Sequence, residues 1–153
     1  MADFLDLLAQ NTRETINNGY YEVTTQTVAV PLSLRRAILQ CKHAPVIAEV
    51  KVVSPSLGII RKDTDIEGIA AAMERGGAVG ISVLTEPKYF KGSLSSLNRV
   101  RRQTRLPLLM KDIILSPAQL ETASRIGANA VLLIEALFER GYCECDVHDM
   151  IAQ

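Results

Sequence analysis

Hydrophobic and polar positions follow two alternating patterns along the chain from residue 45 onward. Short apolar runs predict strands at residues 46–50, 78–84, 106–110 and 130–134. These runs are almost continuously hydrophobic, which is typical of strands buried on both faces of a parallel sheet. Stretches with an apolar residue at every third or fourth position separate the runs and predict helices. The repeated order of strand and helix predicts four βαβ-type units.

Helix-capping signals mark where these helices begin. Thr64 and Glu67 predict a capping box after the first strand, and Ser116, Pro117 and Gln119 predict another after the third. The glycines at positions 76–77 and 127 predict left-handed helix ends. Two further helices are expected near residues 2–17 and 34–42, and a last one through residues 147–151.

The helix that follows the second strand is expected to begin at Ser93. Its spacing points three apolar side chains inward, namely Leu94, Leu97 and Val100. The same spacing turns Arg101 and Arg102 toward solvent, so the basic run over residues 99–105 is interpreted as a solvated helix face rather than a nucleic-acid patch.

Two α/β folds fit this order of elements, an open doubly wound sheet and a TIM (β/α)8 barrel. The loop over residues 51–58 lacks the G-x-G-x-x-G turn of a dinucleotide fold. The barrel is therefore predicted, here as a partial barrel forming a single domain. Residues 1–44 form an N-terminal helical extension and residues 45–153 the first four β/α units.

Composition and charge limit the partners. The 153 residues carry 17 Lys plus Arg and 17 Asp plus Glu, which gives a formal net charge of zero. A chain without a basic field does not attract nucleic acid or anionic membranes, and aromatic residues are too few for base stacking. A small molecule is the expected partner. Three cysteines, an acidic N-terminus and no long apolar window predict a soluble, reducing, cytoplasmic setting.

Charged side chains interrupt two of the apolar strands at their carboxyl ends. Glu49 and Lys51 are two positions apart on the first strand and so share a face, and Lys111 ends the third strand. Taken alone, the first two residues would be read as a surface ion pair. Because a barrel gathers its functional groups at the carboxyl ends of its strands, two lysines and a glutamate there predict a catalytic cluster.

Two loops beyond these strands are candidate binding segments. Ser54, in the turn Ser54-Pro55-Ser56, offers a hydroxyl and backbone N–H groups, which suit either a phosphate or a simple tight turn. The long loop after the second strand carries Tyr89 and Phe90 between two lysines. Exposed aromatic residues on such a loop favour a cover over a pocket.

Five blocks in series resemble indole-3-glycerol-phosphate synthase, between about residues 34 and 137. They are listed here in chain order: Pro45-Val46-Ile47-Ala48-Glu49-Val50-Lys51, Ser54-Pro55-Ser56-x-Gly58, Ile81-Ser82-Val83-Leu84-Thr85-Glu86-x-x-Tyr89-Phe90-x-Gly92-Ser93, Leu109-Met110-Lys111-Asp112 and Ile126-Gly127-Ala128-Asn129-Ala130-Val131-Leu132-Leu133-Ile134. That family is a TIM barrel of tryptophan biosynthesis. It closes the indole ring of 1-(2-carboxyphenylamino)-1-deoxyribulose 5-phosphate with loss of carbon dioxide and water, and it uses neither cofactor nor metal.

The resemblance implies a role for each matching residue. Lys111 matches the general acid that protonates the substrate carbonyl, and Lys51 matches the lysine that engages the anthranilate carboxylate and donates a proton in dehydration. Glu49 matches a glutamate that orients these lysines and handles protons. Three further positions match substrate contacts: Ser54 to the phosphate, and Phe90 and Leu132 to apolar parts of the substrate.

The sequence departs from the family pattern in composition and in length. Val52 and Leu57 stand where basic residues are usual, and Ile113 stands where an aromatic residue would form a wall of the pocket. A complete barrel takes about 250 residues. We therefore expect a truncated chain, or one half of a two-chain barrel, that is silent or nearly so on its own.

Two other functions remain open, and a metal site is a weaker alternative. Another phosphosugar barrel, such as phosphoribosylanthranilate isomerase, would carry a Lys-x-Cys-Gly pattern that the first strand lacks. A non-catalytic half-barrel could associate with itself or with a complementary half through its open sheet edges. Cys143-x-Cys145-x-x-His148 has the spacing of zinc ligands but lacks a fourth ligand unless Cys41 or His43 folds back, so no metal site is predicted.

Overall fold

The computed structural model describes residues 3–24, 27, 31–51, 53–54, 58–59 and 65–144. The helices are α1 (Phe4–Asn17), α2 (Leu34–Gln40), α3 (Ile66–Arg75), α4 (Leu94–Gln103), α5 (Pro117–Arg125) and α6 (Glu135–Glu139). The strands are β1 (Ile47–Val50), β2 (Val53–Ser54), β3 (Gly58–Ile59), β4 (Gly80–Leu84), β5 (Leu108–Lys111) and β6 (Ala130–Val131). In these ranges no helix is both long enough and apolar enough to cross a membrane.

Four strands form one parallel sheet in the order β1-β4-β5-β6, and β2 pairs antiparallel with β3 as a separate hairpin. Each strand of the larger sheet lies beside the next one along the chain, with a helix in each crossover. This is the connectivity of successive units of a (β/α)8 barrel. The predicted fold class, an α/β partial barrel, is confirmed.

The register of the sheet defines two faces. Ala48 aligns with Ile81 and Ile81 with Leu108, and these residues alternate with a second set in which Glu49 aligns with Ser82 and Ser82 with Leu109. The first face is the main core. It packs against apolar residues of α3, α4 and α5, among them Ala70, Leu97, Val100, Ala123 and Ile126. The second face is the inner face of the partial barrel.

A second, smaller core lies where α1 crosses the carboxyl ends of the strands. Leu8 and Ala9 of α1 are buried against Ile113, Leu115 and Leu137, which follow β5 and β6. At its amino end, α1 is held by Arg140, whose guanidinium pairs with the carboxylates at positions 3 and 6 at 2.8–2.9 Å. The N-terminal helix is therefore packed on the edge of the sheet where barrel active sites lie.

Most helix-end predictions are confirmed, and the predicted N-cap of α3 is wrong. Ser93 caps α4, and Ser116 with Gln119 forms the predicted capping box of α5. The glycines at positions 77 and 127 have φ of 88° and 91°, the left-handed conformation that ends a helix. Asp65 caps α3 in place of Thr64. Because the helix starts at residue 66, its third position is Gly68, whose N–H the Asp65 carboxylate accepts at 2.9 Å.

The chain beyond residue 131 also differs from its prediction. The apolar pattern predicts that residues 132–134 continue the last strand, but β6 ends at Val131 and Ile134 is the N-cap of the short helix α6. Leu132 is exposed, and Leu133 and Ile134 are half-buried, one against each of the two cores. Continuous hydrophobicity does not distinguish this packing from that of a buried strand. The helix predicted through residues 147–151 lies outside the described residues, and the division at residue 44 stays a prediction.

Arg101 is buried, contrary to the expectation that it faces solvent. Its guanidinium donates to the carbonyl oxygen of Leu106 at 3.0 Å, to the carbonyl oxygen of Thr104 and to the Asn129 side chain at 3.3 Å. The helical spacing correctly put Val100 in the core, but the adjacent side chain folds back over the end of α4. Its alkyl stem occupies the space beside Gly127, where a Cβ atom would lie 2.8 Å from Arg101 Cγ.

We predict that Arg101→Met lowers the free energy of unfolding by about 2–4 kcal/mol. Methionine keeps the apolar stem but leaves the carbonyl groups of Thr104 and Leu106 without their charged donor. The measurement is denaturation by urea at neutral pH. Arg102→Met is the matched control, since Arg102 is the exposed neighbour on the same helix, and it is expected to change stability by no more than about 0.5 kcal/mol. Equal losses in the two variants would contradict a stabilising role for the buried guanidinium.

Candidate active site

The inner face of the sheet brings together charged groups from two strands that are not adjacent. Lys111 Nζ donates to Glu49 Oε2 at 2.5 Å, although β4 lies between β1 and β5. Strands in a sheet are about 4.8 Å apart, so the two backbones are separated by roughly 10 Å, a distance that two long side chains can span. On β4, Ser82 aligns with Glu49 and Leu84 aligns with Lys111. The ion pair therefore crosses β4 diagonally, between these two inner-face positions.

The Glu49–Lys111 pair is partly open to solvent, with the Lys111 side chain 37% exposed and that of Glu49 31% exposed. An ion pair of this exposure contributes at most about 1 kcal/mol to stability. Separating the two charges therefore costs little free energy, and a bound anion or carbonyl can compete with Glu49 for the Lys111 ammonium group. Within the described part of the chain, the salt bridge of Glu49 is to Lys111 and not to Lys51.

Lys51 follows β1 and contacts the loop after β4. Its Nζ atom lies 5.4 Å from the centroid of the Phe90 ring, within the range of a cation–π contact. By alternation, Lys51 is on the same face of its strand as Glu49. Of the two predicted catalytic lysines, Lys51 thus contacts Phe90, and Lys111 contacts Glu49.

A small cavity of about 160 Å³ opens beside Lys111. Phe90 and Leu132 line it, so two of the predicted substrate contacts share a cavity with the predicted general acid. Ile113 also lines it and is buried, so this position still provides an apolar wall without the aromatic ring usual in the family. Leu8 of α1 closes one side of the cavity.

Ser54 lies in the short hairpin that follows β1, where it pairs with Gly58. Its backbone position agrees with a turn directly after the strand. Residues 55–57, which include Leu57, and Val52 lie outside the described residues. The role of Ser54 toward a phosphate therefore stays a prediction.

A buried acid lies directly behind the predicted catalytic lysine. Asp112 is 3% exposed, and its carboxylate accepts from the Thr85 hydroxyl at 2.5 Å and from the Ile113 N–H at 2.8 Å. Burial raises the pKa of Asp112 to about 6 despite these two hydrogen bonds. Asp112 thus fixes the ends of β4 and β5 next to each other, since Thr85 follows one strand and Asp112 the other.

Sequence reasoning missed two contributors to the site. Leu8 gave no signal, because an amphipathic N-terminal helix does not reveal which surface it covers. Glu86 carried a weak signal, as an acid that directly follows a buried strand. In the structure it is 1% exposed and accepts hydrogen bonds from three consecutive backbone N–H groups of the Phe90 loop.

The described residues contain no group of three or more His, Cys, Asp or Glu side chains placed to hold a metal ion. The zinc alternative depends on Cys145 and His148, which lie outside the described residues. Cys143 is described, and its thiol lies 3.7 Å from the Ile114 carbonyl oxygen.

Parallel strand–helix units with lysines, a carboxylate and an apolar cavity at the carboxyl edge define the class of (β/α)-barrel enzymes, whose sites lie at that edge. The chain belongs to the indole-3-glycerol phosphate synthase family, whose sequence model matches residues 6–145. This is a family of carboxy-lyases, as predicted from the five sequence blocks. The isomerase and non-catalytic alternatives are not favoured.

Curated relatives agree with this family. The indole-3-glycerol phosphate synthase of Prochlorococcus marinus (strain AS9601) is 48% identical over 73% of this chain and 38% of the relative. That of Pyrococcus furiosus is 44% identical over 72% of this chain and 48% of the relative. That of Geobacillus thermodenitrificans is 40% identical over 83% of this chain and 57% of the relative. The chain thus spans roughly half the length of these relatives.

Among solved structures, the carboxyl transferase domain of Rhizobium etli pyruvate carboxylase with 3-hydroxypyruvate is 20% identical to the chain. Its TM-score is 0.46 over 76% of this chain and 21% of that one. This similarity is too low to define a fold.

We predict that Asp112 makes stability pH-dependent in an unusual direction. Its pKa is raised from 3.8 to about 6 on folding, so the folded protein binds the proton more tightly than the unfolded chain does. The stabilisation is complete below about pH 3.8 and is lost as the pH rises through about 6. Relative to Asp112→Asn, the unmodified protein should therefore lose about 2 kcal/mol between pH 4 and pH 7.

The measurement compares the free energies of unfolding of both proteins across this range. The difference between the two free energies removes the contribution of carboxylates that titrate alike in both proteins. One of these is Asp3, whose pKa is lowered to about 2 by its hydrogen bond to Arg140. A difference that is constant with pH would show that Asp112 stays ionised in the folded protein.

Proposed function

We propose that the chain contributes the first half of an indole-3-glycerol phosphate synthase site, acting on 1-(2-carboxyphenylamino)-1-deoxyribulose 5-phosphate in tryptophan biosynthesis. The observation that carries the proposal is the 2.5 Å contact between Lys111 and Glu49 at the mouth of an apolar cavity. Membership of the family and the small, partly apolar cavity support a small aromatic phosphosugar as the ligand.

The proposed chemistry follows from the charges at this edge. Ring closure requires an electrophilic carbonyl, and a positioned ammonium group can supply the proton that makes it so. Lys111 is assigned this role, and Glu49 holds its Nζ atom in place and receives or returns protons. When the substrate carbonyl binds, it replaces the Glu49 carboxylate as the hydrogen-bond acceptor of Lys111. Loss of carbon dioxide and water then yields the indole ring.

Each of the other predicted residues is assigned to one of the remaining parts of the ligand. Lys51 is assigned to the anthranilate carboxylate and to a proton donated in dehydration, and its position over Phe90 supports contact with an aromatic acid. Phe90 and Leu132 form apolar walls, and Ser54 is assigned to the phosphate. The cytoplasmic location, self-association and pairing with a complementary half-barrel all remain proposals.

The test follows indole formation by fluorescence with the substrate named above. Turnover is measured for the chain alone and with the carboxyl-terminal half of a relative's barrel supplied in trans. We expect the chain alone to be silent or nearly so, since its relatives extend over roughly twice its length. In the complemented assembly, Lys111→Met should reduce turnover by about 10²–10⁴-fold, the usual contribution of a general acid.

Lys42→Met is the matched control, because Lys42 is an exposed lysine that precedes β1 at the opposite end of the strand. It should leave turnover unchanged. Circular dichroism and thermal unfolding establish that both variants fold. Retention of more than a tenth of the activity in Lys111→Met would overturn the acid assignment, and absence of binding or turnover in the complemented, unmodified assembly would overturn the proposed function.

A further inference from the structure

The loop that carries Phe90 is fixed from below by a single buried carboxylate. Glu86 Oε1 accepts hydrogen bonds from Lys88 N–H at 2.9 Å and from Asn11 Nδ2 at 3.2 Å. Its Oε2 atom accepts from Tyr89 N–H at 2.8 Å and from Phe90 N–H at 2.9 Å. Each carboxylate oxygen therefore serves two donors, and three of the four donors are consecutive backbone groups.

The same loop is also fixed at both of its ends. The Tyr20 hydroxyl donates to the Thr85 carbonyl oxygen at 3.0 Å and accepts from the Leu94 N–H at 3.1 Å. Burial raises the pKa of Tyr20 to about 12, so this hydroxyl stays protonated and able to donate. The ends of the loop are thus held without Glu86, and the carboxylate acts on its middle.

The middle of the loop is held in a conformation that needs support. Lys91, directly after Phe90, has φ of 51°, a left-handed conformation that costs a residue with a side chain roughly 1 kcal/mol or more. Lys91 is exposed, so packing of its own side chain does not compensate for this cost. The hydrogen bonds to Glu86 do, because they fix the three preceding residues and hence the direction of the Phe90 side chain.

We propose that Glu86 is a positioning residue that holds the Phe90 ring over the Lys51 ammonium group and connects helix α1 to the ligand site. The inference rests on the proposed function, in which Phe90 and Lys51 contact the substrate. Glu86 does not itself touch the ligand in this proposal. It acts through the loop backbone on one side and through Asn11 on the other.

Glu86→Gln tests this proposal with little change in shape. A glutamine places an NH₂ group where one carboxylate oxygen was, and in either orientation that group faces two donors. The variant therefore loses two of the four hydrogen bonds whichever way the amide turns. The double variant Asn11→Asp with Glu86→Gln restores three of the four hydrogen bonds, because the carboxylate introduced at position 11 would accept from the glutamine NH₂ while the glutamine oxygen accepts from Tyr89 and Phe90. The Lys88 N–H, which donates to the same oxygen as Asn11, stays without its acceptor.

Amide hydrogen exchange measured by NMR reports on the loop directly. In Glu86→Gln we expect exchange at residues 88–90 to accelerate by about tenfold or more while core amides of β4 and β5 stay unchanged. The ε-methylene protons of Lys51, shifted by the Phe90 ring, should move toward their position in Phe90→Leu. The double variant should restore the Lys51 shift and the slow exchange at residues 89–90, while residue 88 keeps exchanging fast. Glu67→Gln is the matched control, since Glu67 is doubly bonded to Arg99 on the exposed side of α3.

Affinity for the carbonyl-reduced form of the substrate, measured by calorimetry, connects the loop to the ligand. We expect binding to weaken about tenfold or more in Glu86→Gln, because a displaced aromatic wall no longer meets the ligand, and to recover in the double variant. Unchanged exchange, an unchanged Lys51 shift or unchanged affinity in Glu86→Gln would each overturn the inference. If the complemented, unmodified assembly does not bind the reduced substrate, the proposed function fails, and exchange and the Lys51 shift still decide whether Glu86 fixes the loop.

Discussion

The in-register parallel alignment of β1, β4 and β5 is the constraint on which the candidate site depends. Because adjacent strands run in the same direction, their carboxyl ends lie at one edge, and residues two positions apart share a face. Glu49 and Lys111 lie on the same face because Ser82, aligned with Glu49, and Leu84, aligned with Lys111, share the inner face of β4. A slip of one residue in β4 would place Val83 opposite Glu49 and would turn the inner residues of that strand toward the helices.

The two hydrophobic cores have different functions. The core between the sheet and α3, α4 and α5 fixes the strands and hence the register. The smaller core beneath α1 fixes what lies beyond the strand ends, including Ile113 and the wall of the cavity. Helix α1 is thus part of the surroundings of the site and not only an extension that precedes the barrel.

Buried polar groups connect these two layers. Thr85 and Asp112 join the ends of neighbouring strands, and Glu86 joins the next loop to Asn11 of α1. All four side chains are at most 5% exposed, so each hydrogen bond replaces one to water and the loss of a partner would be costly. These buried hydrogen bonds therefore hold the strand ends and the Phe90 loop in place before a ligand binds, while the Glu49–Lys111 ion pair remains open to solvent.

Sequence alone determined the order of the elements, the parallel sheet, most helix caps and the two strands that carry Glu49 and Lys111. These features depend on periodicity and capping, which are local properties of the chain. Only the tertiary structure decided that Glu49 pairs with Lys111, that Arg101 is buried and that Leu8 and Glu86 shape the cavity. Each of these depends on contacts between residues far apart in the chain or on how one side chain folds back, and neither leaves a periodic pattern in the sequence.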